Sequence, residues 1–184
     1  MHPLANSRTT KGMRRRTFLT IFAGASTCLL APASANARAL APGHVVMLHC
    51  LGNIPGPLWL DGRTRDGSVG LAPDTGPRHS GTRWEVVDAG AGGIALRCLG
   101  NIPGLSWLNG RTKDGSVGLA PSLGPPYTGA RWQVADVDGA IALRCLGDIP
   151  GPRWLDGRTA DGTVGLAPEL SHEYTGARWL VLRA

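Results

Sequence analysis

The residues in this chain best suited to chemistry sit in a polar turn that occurs three times: Asp61-Gly62-Arg63, Asn109-Gly110-Arg111 and Asp156-Gly157-Arg158. In each copy an aromatic ring follows 18 residues after the Asp or Asn, at His79, Tyr127 and Tyr174. A carboxylate accepts hydrogen bonds from two adjacent hydroxyls with a charge-assisted gain, and a flat ring covers an apolar C–H face. Together these meet the two needs of a neutral sugar, oriented polar partners and an apolar plate. Asp61, Asn109 and Asp156 are therefore candidates for the hydroxyls, and His79, Tyr127 and Tyr174 for the plate. Arg63, Arg111 and Arg158 add donors beside the same turn, and Asn53, Asn101 and Asp148 add polar groups from an earlier one. These six form a second tier. Each set also has a structural reading. Asp and Asn before glycine are turn formers, and the arginines can pair with Asp66, Asp114 or Asp161.

Other chemistry finds less support. Cys50, Cys98 and Cys145 lie nine residues before Trp59, Trp107 and Trp154. They alternate with Leu48, Leu96 and Leu143 in a period-two pattern, so their expected place is inward on a half-buried strand. No histidine recurs beside them, whereas a catalytic thiol needs a partner base and a depressed pKa. Ser68, Ser116 and Thr163 fall in predicted strands. Asp61 and Asp66 lack the alternating oxygen ligands of a calcium loop. Any site found here occurs three times, while an enzyme builds one asymmetric centre. The expectation is no catalytic set, no metal and no cofactor, in a chain that is not an enzyme.

The elements that must position these residues repeat with them. WLDGRTRDGSVGLAP, WLNGRTKDGSVGLAP and WLDGRTADGTVGLAP begin 48 and 47 residues apart, each with a later tryptophan (Trp84, Trp132, Trp179) 34 residues after its cysteine. Self-similarity at such a period marks a repeat architecture. Within a copy, alternation and Gly/Pro/Asp turns predict four short strands and no helix. One such unit cannot bury its own tryptophans, but three can share a core. A three-bladed propeller falls below the usual four to eight blades, and a solenoid needs atypical capping repeats. The expected fold is all-β: a β-trefoil over residues 40–184, with four-stranded repeats near 44–91, 92–138 and 139–184.

Charge separates a leader from this region. The formal net charge of +6 and pI near 9.8 would ordinarily point to nucleic acid. Five of the 19 basic residues lie between Arg8 and Arg16, and from Arg38 onward 14 basic residues face 13 acidic ones. Nucleic acid is thus not the expected partner. Residues 1–39 read as a cleavable signal peptide: a basic start, an apolar run from Phe18 to Leu30, and small residues offering cleavage after Ala35, Ala37 or Ala39. Arg15-Arg16-Thr17-Phe18-Leu19 fits the twin-arginine export pattern. The apolar run is shorter than the roughly 20 residues of a membrane span. The expected location is periplasmic or secreted.

The LDG…DGTVGLAP run with its late tryptophan resembles the sugar-binding repeat of the ricin-type β-trefoil lectins. CLGNIPGPRWLDGRT is similar to repeats of fungal β-trefoil lectins that bind galactose and N-acetylgalactosamine. The resemblance covers about Met47 to Val181 and implies an exported lectin with glycans as partners and up to three equivalent sites. This chain departs from the pattern at Thr82-Arg83-Trp84, Ala130-Arg131-Trp132 and Ala177-Arg178-Trp179, where the family carries Q-x-W. It departs again at Ala72, Ala120 and Ala167, where the family carries an aromatic. The alternative reading is a protein-interaction trefoil such as a protease inhibitor, working through one divergent loop. The variable loops DTGPRHS, SLGPPYT and ELSHEYT are equal in length, which favours a duty shared by all three.

Overall fold

The computed structural model describes residues 35–184 apart from residue 102; residues 1–34 of the expected signal peptide over 1–39 lie outside the described residues. A five-residue helix, α1 (Ala35–Ala39), precedes twelve strands. The first copy of the sequence motif forms β1 (Val45–Cys50), β2 (Trp59–Arg63), β3 (Ser68–Ala72) and β4 (Trp84–Gly90). The second forms β5 (Gly93–Cys98), β6 (Trp107–Arg111), β7 (Ser116–Ala120) and β8 (Trp132–Val137). The third forms β9 (Ala140–Cys145), β10 (Trp154–Arg158), β11 (Thr163–Ala167) and β12 (Trp179–Arg183). Short 3-10 turns at Pro77–Thr82, Thr128–Ala130 and Thr175–Ala177 lead into β4, β8 and β12.

The pairing corrects the expected β-trefoil of three four-stranded repeats. The long ladders cross from one copy to the next: β4 with β5 from Trp84↔Cys98 to Gly90↔Gly93, β8 with β9 from Trp132↔Cys145 to Val137↔Ala140, and β12 with β1 from Cys50↔Trp179 to Val46↔Arg183. Within a copy the first and last strands barely meet, at Val45↔Glu85 and Val46↔Trp84, at Ile94↔Trp132, and at Trp179↔Ile141. All twelve strands belong to one sheet that closes on itself through β1, β4, β5, β8, β9 and β12. The hairpins β2–β3, β6–β7 and β10–β11 are appended to it and touch one another through β3, β7 and β11. The architecture is a closed antiparallel barrel with additional strands, in place of the expected β-trefoil. The physical reason is the edge. A separate four-stranded repeat would leave unpaired N–H and C=O groups on both sides, and closure removes them.

Alternation places the core. Val46, Leu48 and Cys50 on β1 point inward, as do Leu96 and Cys98 on β5 and Leu143 and Cys145 on β9. Trp84, Trp132 and Trp179 are fully buried, and each indole donates at 3.0 Å to a carbonyl, of Leu60, Leu108 and Leu155 respectively. A buried indole N–H left without an acceptor would cost free energy. These bonds therefore fix how each hairpin sits on the barrel.

The residues of α1 and the turn after it are seated on the same body. The Asn36 side chain donates to the Gly139 carbonyl at 2.6 Å and accepts from the Val181 amide at 3.2 Å. Leu40, 3% exposed, enters the core, with Ala37 and Ala39 packed beside it.

Candidate functional site

Asp61, Asn109 and Asp156 occupy the centres of β2, β6 and β10, opposite Gly70, Gly118 and Gly165. Both faces of these strands are covered, which is why Leu60-Asp61-Gly62 and its counterparts are buried in succession rather than alternately. The cover is the 3-10 turn. A methyl group on Gly81 would lie 2.7 Å from Asp61 Oδ1, and one on Gly129 would lie 3.0 Å from Asn109 Oδ1. Only a residue without a side chain allows that approach. Burial pushes the Asp61 and Asp156 carboxyls up, opposed by His79 and Arg63 at the first and by Arg158 at the second. Asn109 Oδ1 is buried and has no hydrogen-bond partner among the described residues.

Asp61 and Asn109 each line a hollow that is shared with the following copy of the motif. A hollow of about 250 Å³ is lined by Asp61, Arg63, Ser80 and Asn101. A second, of about 230 Å³, is lined by Asn109, Arg111, Thr128 and Ile149. The loops that complete them come from the following copy and are held by matching bonds: Asn101 N to Ser80 Oγ at 3.2 Å, and Asp148 N to Thr128 Oγ1 at 3.3 Å. At the third junction Asn53 N donates to Thr175 Oγ1 at 3.2 Å, joining the first copy to the last. Sequence order would group Asn53 with Asp61. The structure instead brings Asn101 to Asp61 and Arg63, and puts Asn53 in the loop that meets the Thr175 turn.

The expected aromatic plates sit on the 3-10 turns, with His79 within electrostatic reach of Asp61. All three are half-buried: His79 lies inside the turn Pro77–Thr82, while Tyr127 and Tyr174 cap the turns Thr128–Ala130 and Thr175–Ala177. The hollows are lined by the residues flanking them, Arg78 and Ser80 in the first, Pro126 and Thr128 in the second. The apolar surface at the second hollow is Ile149, 51% exposed, and its counterpart Ile54 is 57% exposed. An apolar residue inside each Gly-Asn/Asp-Ile-Pro-Gly turn was the signal in the sequence for this role, since a turn has no core to fill.

Arg63, Arg111 and Arg158 are exposed at the strand ends and make no ion pair with Asp66, Asp114 or Asp161. Those carboxylates instead accept from the hydroxyl at 2.7 Å and the amide at 2.9 Å of Ser68, Ser116 and Thr163. These bonds hold the three carboxyls below their ordinary range. Arg111 donates to the Ser116 hydroxyl at 3.4 Å, and Arg63 and Arg111 line the first and second hollows.

The cysteines are structural. Cys50, Cys98 and Cys145 are free and buried, and each thiol donates to two glycine carbonyls at 3.2–3.5 Å. Burial pushes Cys50 and Cys98 up to about 11. Among the described residues no group of three His, Cys, Asp or Glu side chains is placed to hold a metal ion. No described helix is long and apolar enough to cross a membrane.

No family model and no curated protein matches the sequence. Among solved structures, the chain is similar to a GlcNAcα1-4Gal releasing endo-β-galactosidase from Clostridium perfringens, with a TM-score of 0.60 and 13% identity over 77% of this chain and 32% of that one. The chain thus spans about a third of that structure's length, and the likeness is one of fold. It corrects two expectations. Membership of the ricin-type or fungal β-trefoil lectins finds no match, and the similar structure comes from outside them. The expectation of a chain that is not an enzyme rested on threefold repetition, and this barrel also occurs in an enzyme.

Proposed function

We propose that this chain is an exported carbohydrate-binding protein that takes galactose- or N-acetylgalactosamine-type sugars in hollows formed where successive copies of its motif meet. One observation carries the reading: Asn109, Arg111 and Thr128 line a hollow of about 230 Å³ beside Ile149, which is 51% exposed. The exposed guanidinium of Arg111 donates to a ligand hydroxyl with a charge-assisted gain. Ile149 supplies the apolar surface for the C–H face of the same ring. Asp61 and Asp156 stand at the positions equivalent to Asn109 as charged acceptors. The name of the similar structure, an enzyme acting on galactose linkages, agrees with this ligand class. Several such sites on one rigid body raise avidity for a dense glycan surface by roughly 10²–10⁴.

A second reading, hydrolysis of the bound glycan, is favoured by one feature. Asp61 and Asp66 border the same hollow with carboxyls pushed in opposite directions, up by burial and down by Ser68. Glycoside hydrolysis divides its acid and base roles between two such groups.

A glycan array probed with the purified protein tests both, with Asp61→Ala/Asn109→Ala/Asp156→Ala alongside. Retention of galactosides that the triple variant loses is the expected result, and release of reducing ends from a retained glycan marks hydrolysis. A folded protein that retains no glycan removes the proposal.

A further inference from the structure

The first two hollows carry the same net charge, three arginines against Asp61 and Asp66 in the first and Arg111 and Lys113 against Asp114 in the second, but they differ in the number of guanidinium groups they present. Arg63, Arg65 and Arg78 all line the first. In the second the corresponding positions are Arg111, Lys113 and Pro126, which line it in the same way. In the third copy they are Arg158, Ala160 and Glu173. Cationic side chains therefore fall from three to two to one along the chain, and the last copy adds a carboxylate in the place of Arg78. The three arginines of the first hollow are exposed, and none is in an ion pair among the described residues. Of the two carboxylates in this hollow, Asp66 is engaged by Ser68, and Asp61 is buried within reach of the Arg63 charge. Thr75, Pro77 and Arg83 continue this hollow past Ser80 and Asn101 into a larger groove of about 590 Å³.

From this we infer that the first hollow takes an acidic saccharide, a galactose-type ring bearing a carboxylate or a sulfate ester. The two strand-end arginines and Arg78 hold the anion, and Asp61 and Asn101 accept and donate to the hydroxyls. Guanidinium groups match the two oxygens of either anion in a bidentate fork, which an ammonium does not. The second hollow, with one arginine and one lysine, takes such a ring less tightly. The third copy has Arg158 alone against Asp156, Asp161 and Glu173, a net negative set that repels an acidic ring. The inference rests on the carbohydrate reading above and assigns the chemical class of ligand to each site.

The test compares matched pairs on one array: galactose against galacturonic acid, and an unsulfated galactoside against its sulfate ester. The expected result for the purified protein is retention of the acidic member at least about tenfold above its neutral parent, the scale of one charged hydrogen bond, weakening as salt is raised. The carboxylate and sulfate arms report which anion is preferred. Arg65→Ala with Arg78→Glu, which copies the third site, should abolish the preference. Because a loss could follow from misfolding, the converse change Ala160→Arg with Glu173→Arg should create acidic-glycan binding at the third site. Equal retention of acidic and neutral rings by the wild type and by both variants overturns the charge assignment while leaving sugar binding intact. Silence toward every glycan from a folded protein overturns the carbohydrate reading with it.

Discussion

The backbone amide of Asn101 donates to the hydroxyl of Ser80 at 3.2 Å, and so fastens a loop of the second copy over the hollow built by the first. Asp148 does the same to Thr128, and Asn53 to Thr175. The hydroxyl at this position is therefore a hinge pin between copies rather than a ligand of its own strand. Removing it by Thr128→Val should cost about 0.5–1.5 kcal/mol in chemical denaturation and weaken glycan retention at the second hollow. Thr128→Ser should restore both.

Burial of the Asp61 and Asp156 carboxyls penalises their charged forms. Their raised folded-state pKa means that this contribution favours folding below the ordinary carboxylate range and is lost as pH rises through the folded value. Asp61→Asn and Asp156→Asn, which install the residue already present at Asn109, should therefore raise the melting temperature at pH 7. The gain should vanish at about pH 3. Thermal melts at the two pH values read the difference, and a gain that persists in acid refutes the burial argument.

Gly157 stands directly over Cys50. A methyl group there would lie 2.7 Å from Cys50 Sγ and 3.1 Å from Trp179 Cη2. Gly157→Ala should cost about 1–3 kcal/mol through overpacking. Adding Cys50→Ala makes room, so the double variant should be more stable than the sum of the two single changes predicts.

The thiols of Cys50, Cys98 and Cys145 are buried and held in the neutral form. At pH 8 an alkylating reagent should leave all three unmodified in the native protein and modify all three in denaturant, because the thiolate is the reactive species. Peptide mapping by mass spectrometry distinguishes them from Cys28 in the leader.

Asn36 bridges Gly139 and Val181, and Leu40 completes the core. A chain beginning at Ala41 should be less stable than one beginning at Asn36 by about 2–5 kcal/mol, the range for deleting a buried leucine. Of the three expected cleavage positions, only the one after Ala35 leaves Asn36 in place. If the chain is exported as proposed, the intact mass of the mature protein should correspond to that position.

Within the described residues, the sequence alone determined the strands and their inward faces. Val46, Leu48 and Cys50 could be placed because a pleated chain turns every second side chain to the same side. The turns were equally legible, since Asp-Gly and Asn-Ile-Pro-Gly specify local backbone geometry. What only the tertiary structure decided is which strands pair and which residues share a hollow. Nothing in β4 names β5 as its long partner over β1; barrel closure selects it, because only that pairing leaves no edge exposed. Likewise, Asn101 reaches Asp61 from 40 positions along the chain, while Asn53, only eight away, faces another copy. The exposure of Ile149, the missing partner of Asn109 Oδ1 and the release of Arg63 from Asp66 are also properties of contacts between copies. Such contacts join residues distant in sequence, so no local spacing records them.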